Sequence, residues 1–212
     1  MNYNVIGSGS LGNCIIYKDT IMVDVGLPFN KLEGYLKDIK IILLTHKHVD
    51  HFNESTIIKI GREFPNIYMV VPESLYSEFK ALNYAGNNII LKEGQKFKIG
   101  KTLLESFKLF HDVPNVGWKI IKENYKIIHA TDTGSISHIE AKNYDLYAIE
   151  HNYDEEIINN TITQKINDGV FAYEVRSREY HLSFQKANDW INSQRKDTSE
   201  VLMLHISSSY VE

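Results

Sequence analysis

Thr45-His46-Lys47-His48-Val49-Asp50-His51, here called the metal loop, is the stretch that decides the fold, and it directly follows a largely apolar run at residues 39–44. Such a run is typical of a strand buried on both faces. Side chains two residues apart in an extended chain point the same way, so the imidazoles of His46 and His48 can bind one metal ion. Asp50 and His51 can then bind a second ion nearby. The alternative is a polar loop with incidental histidines, and the density of ligand side chains argues against it.

Further histidines and aspartates stand at the ends of other predicted elements. His111, Asp132 and His205 closely follow predicted strands, and His181 precedes a predicted helix. Any one of them alone would more often be a hydrogen-bonded structural residue than a ligand. Together with the metal loop, they predict that several strand ends converge on one rim that can bind metal ions.

The composition is that of an ordinary globular protein. The 212 residues are 43% hydrophobic and 24% charged, with a net charge of −4. The length favours a single domain covering residues 1–212. The acidic balance disfavours a protein that grips a long nucleic acid through its phosphates. The apolar runs have the length of strands, so no membrane association is expected. The start of the sequence lacks a signal-peptide pattern, and Cys14 is the one cysteine, so a cytoplasmic protein is predicted.

Strands dominate the first two thirds of the sequence, and helices lie between them. Helices are predicted over residues 54–63, capped by Asn53, over residues 183–192, and after Pro72 as an opening residue. Predicted strands cover residues 3–6, 14–17, 21–25, 39–44, 68–71, 102–109, 118–121, 126–130, 146–149 and 201–204. This order predicts an α+β fold in which two sheets are covered by helices.

The histidine pattern resembles the metallo-β-lactamase superfamily over nearly the whole chain. Asp24 resembles the aspartate of the family's first motif, and the metal loop resembles the second. The third, fourth and fifth motifs are matched by His111, Asp132 and His205. The resemblance implies the αβ/βα four-layer sandwich, with two mixed sheets flanked by helices and the site at one edge between them. It also implies that Asp24 and Thr45 support the ligands.

Flanking sequences resemble the phosphodiesterase branch of that superfamily. The segments at residues 7–13, 131–134, 150–154 and 181–183 resemble the YycJ/WalJ-like exonucleases. His181, Gln185 and His205 also resemble ribonuclease Z, in which the histidine before the helix faces the scissile phosphate. Phage cyclic-nucleotide phosphodiesterases of the anti-Pycsar type, which serve immune evasion, share this ancestry.

The resemblance implies two divalent ions per chain, most simply Zn²⁺ with Mn²⁺ as the alternative. One ion is assigned to His46, His48 and His111. The other is assigned to Asp50, His51 and His205, and Asp132 bridges both. The catalytic residues implied are His181, Asp50 and Asp132, with His181 as hydrogen-bond donor or general acid.

Residues that could contact substrate are less sharply defined by the sequence. Arg176 and Arg178 lie close to His181, and guanidinium groups suit phosphate, although a solvated charged turn explains them equally well. His151 and Ser207 are the other candidates. A structural role is favoured for His151 and for its neighbour Glu150.

Two departures from the nuclease pattern shape the functional expectation. The chain is shorter than typical members, and the interval between Asp132 and His181 leaves little room for the arm with which ribonuclease Z holds tRNA. We therefore expect a phosphodiesterase acting on nucleotides, with a lean towards small cyclic nucleotides. The alternatives are a DNA or RNA nuclease of YycJ or ribonuclease Z type, and a thioesterase or lactonase like glyoxalase II. A homodimer is expected because it is common among these relatives.

Overall fold

The computed structural model describes residues 2–207. These residues form two compact units, which are described separately. Unit 1 contains residues 2–97 and 113–116, and unit 2 contains residues 98–112 and 117–207. The sequence-based expectation of a single domain over residues 1–212 stays a prediction.

Unit 1 is built on a six-stranded sheet whose strands follow one another in chain order. Its strands are β1 (Tyr3–Gly7), β2 (Cys14–Tyr17), β3 (Ile21–Val23), β4 (Ile41–Leu43), β5 (Tyr68–Pro72) and β6 (Asn88–Leu91). The first two pairings are antiparallel, and the pairings from β3 to β6 are parallel. The sheet is therefore mixed, and its parallel part brings the carboxyl ends of four consecutive strands, β3 to β6, to one edge.

Three helices pack on one face of this sheet. They are α1 (Phe29–Leu36), α2 (Glu54–Glu63) and α3 (Tyr76–Ala81), the last preceded by a 3-10 turn at Glu73–Leu75. The core between helices and sheet includes Leu32 of α1, Ile60 of α2 and Phe79 of α3, together with alternate strand residues such as Met22 and Ile42. This alternation follows from the two-residue period of a strand.

Unit 2 contains most of a second six-stranded sheet, in which each strand again lies beside the next strand of the chain. Its strands are β7 (Lys96–Ile99), β8 (Thr102–Leu109), β9 (Asn115–Lys122), β10 (Tyr125–Ala130), β11 (Leu146–Glu150) and β12 (Glu200–Leu204). The β9–β10 pairing is antiparallel, whereas β10, β11 and β12 are parallel. The parallel strands again end at one edge. Asp132, Glu150 and His205 lie at or just after these strand ends.

The helices of unit 2 are α4 (Glu155–Asn167), α5 (Glu174–Tyr180) and α6 (Phe184–Gln194). Ala187, Trp190 and Ile191 of α6 lie in a core cluster with Tyr147 and Ile149 of β11. A smaller cluster under α4 contains Tyr153, Ile158 and Ile162. No helix within residues 2–207 combines the length and the apolar character needed to cross a membrane.

The predicted elements agree with the structure where burial is strong. The helix over residues 54–63 and the strand over residues 102–109 have the predicted bounds, and Asn53 caps α2 by accepting the Thr56 N–H at 3.1 Å. Pro72, predicted to open a helix, is the last residue of β5 and the N-cap of the 3-10 turn that precedes α3. Its φ of −62° suits a strand end as well as a first helical turn, and its ψ of 144° is extended.

Candidate metal-binding groups in each unit

The metal loop begins where β4 ends in unit 1. Leu44 still donates its N–H to Val70 O at 3.0 Å, and the chain then leaves the sheet. His46 and His51 are almost fully buried, whereas His48 is partly exposed. His46 Nε2 lies 3.2 Å from His48 Nδ1, so the two imidazoles converge on one point as the two-residue spacing predicts.

Asp24, directly after β3, holds the imidazoles of the metal loop. Its carboxylate accepts the Thr45 N–H at 2.9 Å and the His51 Nδ1–H at 2.6 Å. The Thr45 hydroxyl donates to Asp24 and lies 3.0 Å from His46 Nδ1, from which it can accept. This network assigns the imidazole protons of His46 and His51 to Nδ1, which leaves Nε2 of each ring as a potential metal ligand.

Asn13 contacts the same loop from the β1–β2 connection. Its side-chain oxygen accepts the Gly9 N–H at 2.8 Å, which fixes the amide orientation. The amide nitrogen then lies 2.8 Å from His51 Nε2, 3.2 Å from Asp50 O and 3.3 Å from Asp50 Oδ2. A side chain on Gly26 would collide with Asp50, because a Cβ placed there would lie 1.7 Å from Asp50 O. The Asp50–His51 turn is therefore held on two sides.

Glu150, the last residue of β11, organises unit 2. Its Oε1 accepts a hydrogen bond from His181 Nδ1 at 2.7 Å and another from His205 Nδ1 at 3.1 Å. Its Oε2 accepts the backbone N–H groups of Thr133 at 2.9 Å and Leu182 at 3.2 Å. One buried carboxylate thus ties together three segments that are distant in the sequence.

The candidate ligands of unit 2 form a compact group at the strand ends. Asp132, Glu150, His181 and His205 each offer a ligand atom, and these atoms lie within 4.8 Å of one another. His205 Nε2 lies 3.4 Å from Asp132 Oδ1, so both can face one ion. His111 donates from Nδ1 to Tyr180 O at 3.2 Å, and its ring centroid lies 5.3 Å from that of His181.

The pKa values of His111 and His181, two partly exposed histidines of unit 2, shift in opposite directions. Burial lowers the pKa of His111, and the positive charge of His181 lowers it further, against the opposite effect of Asp132. Burial also acts against protonation of His181, but the negative charge of Glu150 and the hydrogen bond to it outweigh burial and raise the pKa of His181 to about 9. His181 can therefore carry a proton at neutral pH, as a proton donor requires.

Three of these residues adopt the left-handed backbone conformation that is unusual without glycine. The φ angles are 62° at Asp24, 57° at Asp132 and 52° at His205, and each residue follows the end of a strand. Such conformations cost about 1–3 kcal/mol each and persist where surrounding structure holds them. Their recurrence at strand ends that carry candidate ligands suggests a functional constraint.

The four predicted substrate contacts lie in unit 2 in different surroundings. Arg176 pairs with Asp112, and Arg178 donates to Asn159 of α4 at 2.9 Å. His151 is buried, with Nδ1 3.0 Å from Ile149 O. Ser207 donates its N–H to Asn152 O at 3.1 Å. Their role in substrate binding stays a prediction.

Asp24 and Thr45, expected from the resemblance to support the ligands, do contact His46 and His51, but sequence reasoning does not single out the other supporting residues. It favours a structural role for Glu150. This residue stands at the end of a buried apolar strand, and the predicted ligands occupy similar positions after other strands. Asn13 lies in a glycine-rich segment that stands out only through its resemblance. Asn152 is also missed, and it donates its side-chain N–H to His205 O at 2.9 Å.

The donor chemistry fits divalent metal ions. Unit 1 contributes His46, His48, Asp50 and His51, and unit 2 contributes His111, Asp132 and His205 from the predicted set. Imidazole nitrogens with carboxylate oxygens are typical of zinc and manganese sites, and the rings of His46, His51, His111 and His205 are each oriented by a contact of Nδ1.

A fold of this kind, with histidines and aspartates grouped at strand ends, defines the metallo-β-lactamase class of protein, and the chain belongs to this family. The profile described as "Beta-lactamase superfamily domain" matches residues 24–206, a range that includes every predicted metal ligand. The resemblance inferred from the sequence is thereby confirmed.

Among curated proteins, the chain is similar to exodeoxyribonuclease YycJ of Bacillus anthracis, with 26% identity over 178 residues. The alignment covers 74% of this chain but only 65% of that relative, so the chain spans slightly less than two thirds of the relative's length.

Solved structures with the same fold include the short form of human tRNase Z, with a TM-score of 0.71 and 16% identity. That alignment covers 100% of this chain and 95% of the other. Zinc-bound PqqB from Methylobacterium extorquens has a TM-score of 0.68 and 10% identity, with 98% and 89% covered. These likenesses confirm the predicted fold class, an α+β protein with two mixed sheets and flanking helices.

Proposed function

We propose that this chain is a metal-dependent phosphodiesterase that hydrolyses nucleotide phosphodiester bonds. The observation that carries the proposal is the Glu150 arrangement, in which one buried carboxylate holds a protonatable histidine, His181, beside the candidate ligands Asp132 and His205. The similarity to an exodeoxyribonuclease supports phosphodiester chemistry over thioester or lactone chemistry.

The residues proposed to hold two ions are those expected from the sequence. His46, His48 and His111 would bind one ion; Asp50, His51 and His205 would bind the other; and Asp132 would contribute to both. When bound, such ions supply Lewis acidity towards phosphoryl oxygens and lower the pKa of water towards neutrality. Zn²⁺ suits the imidazole-rich donor set, and Mn²⁺ is compatible with its carboxylates.

The side chains of the protein have separate parts in the proposed reaction. Asp50 and Asp132 offer carboxylate oxygens that orient the attacking water and accept its hydrogen bond. His181, held at Nδ1 by Glu150, presents its other nitrogen to the phosphodiester and donates a proton to the oxygen that leaves phosphorus. The buried Glu150 carboxylate, 2.7 Å from Nδ1, favours the protonated ring that this donation requires.

The substrate range follows from charge and from the segment before His181. The net charge of −4 disfavours an extended polymer bound through many phosphates. Between β11 and His181 the chain forms only α4 and α5. These features support small cyclic nucleotides as substrates, which would suit phage immune evasion. Similarity to YycJ supports the second candidate, a nuclease acting on DNA ends.

A substrate screen tests the proposal. The protein loaded with Zn²⁺ or Mn²⁺ is offered cyclic mononucleotides, cyclic dinucleotides, single-stranded DNA, RNA and a thioester, with Asp132→Ala as the matched inactive variant. Cleavage of a phosphodiester, reduced at least about 100-fold in Asp132→Ala, is expected. Thioester cleavage with every phosphodiester intact would instead assign the chain to the glyoxalase II-like alternative.

A further inference from the structure

Unit 2 contains a groove beside α5, here called the α5 groove. It has a volume of about 620 Å³, and its lining includes Asp112, Phe171, Tyr173, Arg176, Glu179 and Tyr180. The volume falls within the range of small-molecule binding sites. No residue of the groove belongs to the proposed metal ligands.

Apolar side chains, both aromatic and aliphatic, dominate the accessible part of the α5 groove, and Ile166 and Val170 contribute beside the rings. The Phe171 side chain is 84% exposed and Tyr173 is 53% exposed. A phenyl ring left this open to water gains free energy when an apolar or planar group covers it. Tyr173, Arg176 and Tyr180 lie at positions i, i+3 and i+7 and therefore share one face of α5.

The charges of the groove favour a neutral ligand over an anion. Arg176 pairs with Asp112, which compensates its charge, and its guanidinium lies 5.9 Å from the Tyr180 ring centroid. Glu179 adds a further negative charge. A phosphate is disfavoured by this net negative lining, whereas a neutral planar base can stack on the rings and donate an N–H group to a carboxylate.

The α5 groove adjoins the histidine group of unit 2, defined here as His111, His181 and His205. The Tyr180 ring lies 6.0 Å from the His111 ring, centroid to centroid, and Asp112 Oδ1 lies 3.1 Å from His111 Nε2. His181 directly follows α5, so Arg176 lies roughly 7 Å along the helix axis from it at about 1.5 Å per residue. Phe171 precedes α5, so it lies farther from His181 along the chain than Arg176 does.

We propose that the α5 groove binds the nucleobase of the substrate by stacking on Phe171, while the phosphodiester is bound at the histidine group. The inference rests on the proposed function and extends it by assigning base recognition to a specific surface. The other occupant that an exposed apolar surface could have is a second copy of this chain.

A thermodynamic cycle tests this assignment. The substrates are thymidine 5′-(p-nitrophenyl phosphate) and the abasic deoxyribose analogue, which differ only in the base. The proteins are the metal-loaded full chain, Phe171→Ala, and the control Tyr35→Ala, which removes a 39% exposed ring from α1 in unit 1. Phe171→Ala is expected to raise KM about tenfold for the thymidine substrate and less than about twofold for the abasic one, with kcat unchanged. Tyr35→Ala should behave as the unaltered protein.

Binding without turnover provides a second measurement. A 2-aminopurine mononucleotide should lose fluorescence on stacking in the unaltered protein, and Phe171→Ala should weaken this binding about tenfold. Equal KM changes for both substrates, or unchanged 2-aminopurine binding, would overturn the base assignment. Conversion of a dimer into a monomer by Phe171→Ala, seen by light scattering, would overturn it in favour of a second copy. If no phosphodiester is cleaved but 2-aminopurine binding still depends on Phe171, only the proposed function fails.

Discussion

Asp24 in unit 1 and Glu150 in unit 2 are buried carboxylates that each accept a hydrogen bond from histidine Nδ1 atoms. Each also accepts backbone N–H groups, so neither charge is buried without partners. Hydrogen bonds of this kind fix the tautomer and ring orientation of a metal-binding histidine. The behaviour of the candidate ligands should therefore depend on residues that never contact an ion.

Asn13 allows this dependence to be tested at a single residue. Asn13→Ala removes the amide that lies against Asp50 and His51 and leaves the Gly9 N–H without its side-chain acceptor. We expect metal affinity to fall about 10–100-fold for one of the two proposed ions, because misplaced supporting groups weaken metal sites by this amount. Chelator competition and the Co²⁺ absorption spectrum measure the affinity and the ligand geometry.

Thr56→Ala is the matched control for Asn13→Ala. Thr56 is as buried in unit 1 as Asn13 is. Its hydroxyl donates to Leu27 O at 3.0 Å and not to Asp50 or His51. Both variants should lose about 1–3 kcal/mol of unfolding free energy. Only Asn13→Ala should alter the Co²⁺ spectrum. A spectrum unchanged in both variants would reduce Asn13 to a structural residue.

Residue-level prediction from the sequence succeeds where the relevant groups are neighbours in the chain. The metal loop can be recognised because extended geometry fixes where side chains two residues apart point. The contacts of Asn13 with Asp50 and of Glu150 with His205 span 37 and 55 residues. Such contacts depend on which strand ends meet at a sheet edge, which no local pattern specifies.

At the scale of elements, burial determines which strands and helices can be predicted. The strand over residues 102–109 and the amphipathic α2 have strong patterns of apolar residues, and their predicted bounds are the observed ones. The edge strands β6 and β7 are partly exposed, and α4 and α5 carry many polar residues. Weak apolar periodicity explains why the sequence does not predict these elements.

The entry into β11 is stabilised by an ion pair that can be tested by pH. Asp145 accepts the Lys196 ammonium at 2.6 Å and the Lys126 N–H at 2.8 Å, which joins β11 to its neighbours. Partial burial acts against ionisation, but the bonds from Lys196 and Lys126 outweigh it and hold the pKa of Asp145 below its usual value. Asp145→Asn should therefore cost about 1 kcal/mol of unfolding free energy at about pH 7.

The pH dependence of the Asp145→Asn effect has a definite sign. A pKa lowered in the folded state gives stability that is present above the unfolded value, near about pH 4, and lost as the pH falls through the folded value. Urea unfolding should show the two proteins converging below about pH 4. The control Glu123→Gln, from the exposed pair with Lys101, should match the unaltered protein throughout. A constant Asp145→Asn deficit down to low pH would contradict the ion-pair explanation.

For the whole molecule, the sequence predicts the particular fold through its resemblance to a known family. Spacing and composition alone predict only two sheets covered by helices. The division into two compact units is not predicted. The chain crosses between the units within β7, between β8 and β9, and within β9, away from any glycine- or proline-rich linker. Such an internal boundary leaves no compositional trace.

The proposed metal binding predicts that the stability of the protein responds to metal removal. An ion that binds only the folded state stabilises it by about 2.7 kcal/mol at about one hundred times its Kd. For a chain of this size that corresponds to a Tm change of about 5–10 °C. Calorimetry with added Zn²⁺ and with a chelator should show this difference in the unaltered protein and a smaller one in Asp132→Ala, whose ligand set is incomplete. The same Tm under both conditions, with elemental analysis finding no bound ion, would contradict metal binding. The proposed hydrolysis would then lose its physical basis, because the imidazoles and carboxylates alone supply neither the Lewis acidity nor the acidified water that phosphodiester cleavage requires.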